Sequence, residues 1–227
     1  MTGPMHDEVA LRLAVVSTAR AMSVAGLTRG RSGNVSARWR SDRFDGLLIT
    51  PTGMSYATMG PADVVALHRD GSLRDAGARI PSSEWRFHCE IYAARPDAGA
   101  IVHTHSPFAT TLACLARGIP PFHYMVAAAG GHDIRCAPYA RFGSAELAHA
   151  AVAALQERKA CLLAHHGMIA IGDSAADALA LAIEVEGLAQ IYWRVLQIGE
   201  PVLLSTAEMQ AVVDKFVTYG QQDTGDH

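Results

Sequence analysis

Apolar residues recur at helical spacing over residues 7–25, and Gly26 supplies a stop. The pattern then shifts to short apolar runs. GRSGNVSARW (30–39) reads as a glycine turn entering a strand, and GLLITPTG (46–53) as a strand closed by a Pro and Gly turn. DVVALHRDGS (63–72) is a further strand with Asp70-Gly71 as its hairpin signal. PSSEWRFHCEIYAARP (81–96) predicts a helix with Ser82 or Ser83 as N-cap, Glu84 in the first turn and Pro96 at the end. GAIVHTH is the next strand and PFATTLACLAR the next helix, and IRCAPY (134–139) is short and extended. SAELAHAAVAALQER (144–158) predicts an alanine-rich helix. KACLLAHHG (159–167) and MIAIG (168–172) predict two short strands. A long helix over 174–199 ends at Gly199, and Ser205 to Glu208 has the capping-box pattern of a last helix running to about Tyr219.

Strands joined by hairpin signals do not follow strict strand–helix–strand repetition. The expectation is a layered α/β or α+β domain with at least partly antiparallel strands. The 227 residues fit one domain, residues 1–227, with 220–227 as a loose tail.

Composition narrows the class. Half of the chain is apolar, enough for a sizeable core, and the net charge is -3 with both signs scattered. No basic run marks a nucleic-acid surface or an anionic membrane partner. No apolar stretch reaches the roughly 20 residues of a membrane-spanning helix, and the first residues lack the basic start of a signal peptide. Cys89, Cys114, Cys136 and Cys161 are isolated, as expected of reduced thiols in a cytoplasmic protein.

The candidate chemistry begins at IVHTHSPFA (101–109). Alternation along a strand puts His103 and His105 on one side. They are either metal ligands or two polar residues where a strand surfaces. His165-His166 follows another apolar run. If that run is a strand through both residues, only one of them reaches a site shared with the first pair. Three imidazoles from two strand ends is the ligand count of a catalytic zinc centre. Glu84 reads either as dipole and capping chemistry at a helix start or as a general acid/base beside a metal. Ser32-Gly33-Asn34, Thr52-Gly53 and Ser82-Ser83 each offer backbone N–H groups with hydroxyl or amide donors, which suits an anion. Tyr124, in HYMVAAAGG, is by itself a half-buried aromatic.

GNVS, ITPTG, PSSEWRFH, AIVHTH, HYMVAAAGG, CAPYARFG, LLAHHGMIA and KFVTYG occur in this order between about residues 8 and 220. The set resembles the class II aldolase family, which includes L-fuculose-1-phosphate aldolase. The resemblance implies a three-layer α/β/α fold around a mainly antiparallel sheet and a homotetramer with active sites between subunits. It implies Zn2+ on His103, His105 and His166, with Glu84 on the vacant position until substrate displaces it for proton transfer. It also implies a phosphate site at Gly33, Asn34, Thr52, Gly53, Ser82 and Ser83, Tyr124 supplied by a neighbouring subunit, and Tyr219 closing over the site. Co2+ or Mn2+ accept similar ligands. Arg31 departs from the threonine expected there and offers a guanidinium to phosphate.

The implied reaction is cleavage of a ketose 1-phosphate, L-fuculose 1-phosphate or a 5-deoxy- or 5-methylthio-ribulose 1-phosphate. The products are dihydroxyacetone phosphate and an aldehyde, formed through an enediolate stabilised by the metal as Lewis acid. Related reactions on the same scaffold are 4-epimerisation, methylthioribulose-phosphate dehydration and sugar-acid phosphate decarboxylation. The non-catalytic adducin head is a third expectation, disfavoured by the three histidines, Glu84 and Tyr124.

Overall fold

The structure, a computed structural model, describes residues 7–216. Its strands are β1 (Asn34–Ser41), β2 (Phe44–Ile49), β3 (Val65–His68), β4 (Ala100–Thr104), β5 (Arg135–Ala137), β6 (Ala160–Leu163) and β7 (Gly167–Gly172). They form one sheet in the order β3-β2-β1-β4-β7-β6-β5. Every neighbouring pair is antiparallel except β5 and β6.

The helices are α1 (Glu8–Val24), α2 (Trp85–Ala94), α3 (Pro107–Cys114), α4 (Ala145–Ala154), α5 (Ala175–Ile198) and α6 (Thr206–Phe216). Helices α1, α3 and α5 pack on one face of the sheet, and α2 and α4 on the other. Strand alternation feeds both layers. Ala100 and Val102 of β4 enter the core under α5, and Ile101 enters the core under α2 and α4. In β7, Met168 and Ala170 divide from Ile169 and Ile171 in the same way. A sheet covered on both faces needs strands apolar at nearly every position, as these runs are. The expected three-layer α/β/α architecture is therefore present.

Two local readings change. Helix α2 begins one residue after Glu84, which is itself the N-cap residue and makes no side-chain cap. Neither Ser82 nor Ser83 is the N-cap; Ser82 Oγ instead accepts from Glu84 N at 3.3 Å. The carboxylate is thereby free to turn inward from the helix start. The second change is at His165 and His166, which lie in the turn between β6 and β7 and not in a strand. His165 has φ +56°, so this turn passes through the left-handed region. Elsewhere the caps are as expected. Ser205 and Glu208 exchange hydrogen bonds at the start of α6, and α6 is described to Phe216. Tyr219 lies outside the described residues.

Among the described residues no helix is long and apolar enough to cross a membrane.

Candidate active site

The site forms where β4, the β6–β7 turn and the start of α2 meet. His103 projects from the α2 side of β4 and is fully buried. Its Nδ1 donates to the Met168 carbonyl at 2.8 Å, because a carbonyl can only accept. A neutral His103 therefore presents a bare Nε2 to the site. His105, one residue beyond β4, brings its Nε2 to 3.0 Å from that of His103. The expectation that the two rings share a side holds in their meeting.

His166 arrives from the β6–β7 turn, its Nε2 3.0 Å from Glu84 Oε1. Glu84 Oε2 is 3.1 Å from His103 Nε2 and accepts from Asn34 Nδ2 at 2.9 Å. Gly167, next to His166, is required by close packing, since a Cβ there would lie 2.2 Å from the Thr104 carbonyl. Gly33 holds φ +80°, and its Cβ would meet the His103 carbonyl at 2.6 Å.

The ligand atoms of Glu84, His103, His105 and His166 all lie within 4.8 Å of one another. Glu84 Oε1 is buried without a hydrogen bond of acceptable alignment, although His166 Nε2 is close. The bare Nε2 of a neutral His103, the Nε2 atoms of His105 and His166 beside it and a carboxylate oxygen without a hydrogen-bond partner fit a divalent cation, which accepts lone pairs where hydrogen bonding leaves them unmatched.

Electrostatics agree with geometry. Burial alone would raise the Glu84 carboxyl, but His103 and His166 beside it outweigh burial and hold it well below the usual carboxylate range. Burial would lower His103, and the Glu84 carboxylate overrides it and raises the imidazole. His105 is pushed down to about 4 by burial and by the neighbouring His103 and His166, so its imidazole is neutral at neutral pH.

Glu84, His105 and His166 open onto a cleft of about 350 Å³. Its walls include Ser32, Gly33, Asn34, Thr52, Gly53, Ser82 and Ser83, so the three segments expected from the sequence to suit an anion converge on it. Arg31 stands at the rim and donates from Nη1 to the Gly53 carbonyl at 2.8 Å. Asn34 is turned to Glu84 as well as lining the cleft. Tyr124 is not brought to this cleft. It is half exposed and lines a separate pocket with Met125, Val212, Lys215 and Phe216.

Some cleft residues have no role in the motif reading, and the largest of them are aromatic. Tyr139 and Phe142, from CAPYARFG, line the cleft although both are largely exposed. His165 lines it too, its ring edge-on to Tyr139. Two aromatics in the short polar segment between the IRCAPY strand and the following helix are the sequence signal that could have found them.

Comparison with known proteins places this geometry. The family described as Class II Aldolase and Adducin N-terminal domain matches residues 13–193. The chain is 56% identical over 214 residues to a Rhodospirillum rubrum protein named 5-methylthioribulose-1-phosphate/5-deoxyribulose-1-phosphate aldolase, covering 94% of each. It is 47% identical to the L-fuculose phosphate aldolase of Escherichia coli K12, covering 91% of this chain and 94% of that one. A solved L-fuculose 1-phosphate aldolase superposes with a TM-score of 0.86 at 36% identity, covering 94% of this chain and 98% of the other. With its layered sheet, its histidine–glutamate cluster and these relatives, the chain belongs to the class II aldolase and adducin N-terminal domain family.

Proposed function

We propose that this chain, read as one domain, is a zinc-dependent aldolase. It cleaves a ketose 1-phosphate to dihydroxyacetone phosphate and an aldehyde, with 5-methylthio- and 5-deoxy-ribulose 1-phosphates as its first substrates and L-fuculose 1-phosphate as a related one. The observation that carries this reading is the union, in one cleft, of the Glu84–His103–His105–His166 cluster with the three anion-holding segments. The names of the 56% and 47% identical relatives support the substrate class.

His103, His105 and His166 hold the ion, with Glu84 as an exchangeable fourth ligand. Three neutral imidazoles suit Zn2+, and Co2+ or Mn2+ accept the same donors. When bound, the ion supplies Lewis-acid stabilisation of the negative charge that develops beside the substrate carbonyl. The backbone and side-chain donors of Gly33, Asn34, Thr52-Gly53 and Ser82-Ser83 bind the phosphate, with Arg31 as the charged partner at the rim. Glu84 would move the proton at C3 as general acid/base.

Tyr124 lines a pocket other than the cleft of its own subunit. It serves the oxygen that becomes the aldehyde from a neighbouring subunit of a homotetramer, and Tyr219 closes over the site. The four cysteines are all unpaired, which fits the reducing cytoplasm.

The test is a coupled assay for dihydroxyacetone phosphate with zinc-loaded protein and a panel of fuculose, rhamnulose, ribulose, 5-deoxyribulose and 5-methylthioribulose 1-phosphates. Release from the 5-methylthio and 5-deoxy substrates is expected. No release from any member refutes the reading, and NMR of the products identifies dehydration or epimerisation in its place.

A further inference from the structure

Behind Glu84 runs a buried polar chain of Asn34, His88, Ser36 and Tyr92, of which the proposed reaction uses only Asn34. Tyr92 OH lies 2.8 Å from Ser36 Oγ, Ser36 Oγ 2.7 Å from His88 Nδ1, and His88 Nε2 2.5 Å from Asn34 Oδ1. Asn34 Nδ2 then reaches Glu84 Oε2. Asn34, Ser36 and His88 are at most 2% exposed, so water cannot take the place of a missing partner.

The chain has one consistent direction. Burial keeps His88 neutral, pushing it down to about 3, so the ring has one donor and one acceptor. The carboxylate of Glu84 can only accept, so Asn34 must turn its NH2 toward it and its Oδ1 toward His88. His88 Nε2 must then carry the hydrogen, and Nδ1 must accept from the Ser36 hydroxyl. Ser36 in turn accepts from Tyr92. A flipped Asn34 would set a carbonyl oxygen against the carboxylate.

We propose that His88 is a positioning residue for the metal site: by donating from Nε2 to Asn34 Oδ1 it fixes the Asn34 amide, which holds the Glu84 carboxylate in line with the three imidazoles. This rests on the reading that Glu84, His103, His105 and His166 hold a divalent ion. Outer hydrogen-bond partners of ligands typically govern about 10–100-fold in metal affinity or activity.

The test compares His88→Gln, His88→Asn and Ser36→Ala in the full chain, with zinc alone as probe. Affinity is measured by competition against a chromogenic chelator. A glutamine amide places its nitrogen near the original Nε2 and can still donate to Asn34. An asparagine amide ends near the original Nδ1 and cannot. Zinc affinity within about threefold of the parent is expected for His88→Gln, against a loss of about 10-fold or more for His88→Asn. Ser36→Ala, which removes the hydroxyl that keeps Nδ1 an acceptor, loses affinity in the same direction and is decisive if His88→Asn does not fold. Equal losses in both His88 variants, or parental affinity in Ser36→Ala, overturn the proposal. No sugar phosphate is used, so a wrong substrate leaves this result intact. A parent that binds no zinc refutes the metal reading itself.

Discussion

Nε2 of His103 and Nε2 of His105 stand 3.0 Å apart, and His103 has already committed its Nδ1 hydrogen to the Met168 carbonyl. Two ring nitrogens at that distance share a proton or face a common cation. Glu84 closes the group from the other side, with its oxygens 3.1 Å from His103 and 3.0 Å from His166. The protein has thus gathered lone pairs at one point, which is costly unless a positive charge occupies it.

Glu84→Gln tests the acid/base role. The amide keeps the side-chain shape but loses the charge and the capacity to move a proton. Turnover is expected to fall about 10²–10⁴-fold, while protein loaded in excess zinc still carries the ion on the three histidines by elemental analysis, at weaker affinity. A near-parental rate would refute the role.

Stability of the chelator-treated protein has a predictable pH optimum. His103 is raised in the fold, so its contribution is full below the unfolded imidazole value of about 6.5 and is lost as pH rises through its folded value. Glu84 is lowered, so its contribution is present above its unfolded value and lost as pH falls. His105 and His88 sit at about 4 and about 3, so protonation of the unfolded chain erodes stability as pH drops below about 6.5. Denaturant midpoints are therefore expected to peak near pH 6.5. Zinc-loaded protein should lack the alkaline decline, because metal-bound imidazoles hold no proton on the ligating nitrogen.

Glu186 of α5 accepts from Ser106 Oγ at 2.7 Å, Phe108 N at 2.8 Å and Ala109 N at 2.9 Å. It thereby caps α3 from across the fold, one residue beyond His105. Glu186→Ala leaves those donors unmatched. A stability loss of about 2–3 kcal/mol is expected, read as a lower urea midpoint at unchanged m-value. Zinc affinity should fall with it, since the chain after His105 loses its anchor.

Arg31→Met tests the phosphate contact. The guanidinium spends one nitrogen on the Gly53 carbonyl and has others to offer at the cleft rim. KM for the ketose 1-phosphate is expected to rise about 10-fold with kcat little changed, the sign of binding lost equally in ground and transition states. A fall in kcat at constant KM would instead place Arg31 in the chemistry.

Much of the fold was legible because its determinants are local. The capping box at Ser205 and the stop at Gly199 each act within a few residues, and the helices begin and end there. Alternation likewise joined His103 to His105. The same local logic misjudged Ser82-Ser83, because a serine before a helix looks like a cap whether or not the backbone uses it. It also misjudged the HHG segment, because a left-handed turn at His165 replaces the strand expected there.

The sequence by itself determined the layered α/β pattern, the helix ends and, through eight ordered segments, the family. Local propensity and apolar periodicity reach only one element at a time. Tertiary structure decided which of these residues meet. It turned His166 rather than His165 onto Glu84, brought three separate turns around one cleft, and set Asn34 between His88 and the carboxylate. Asn34 is 50 residues from Glu84 and 54 from His88 along the chain. Only the packing of β1, β4 and α2 across one sheet face fixes the distances between them.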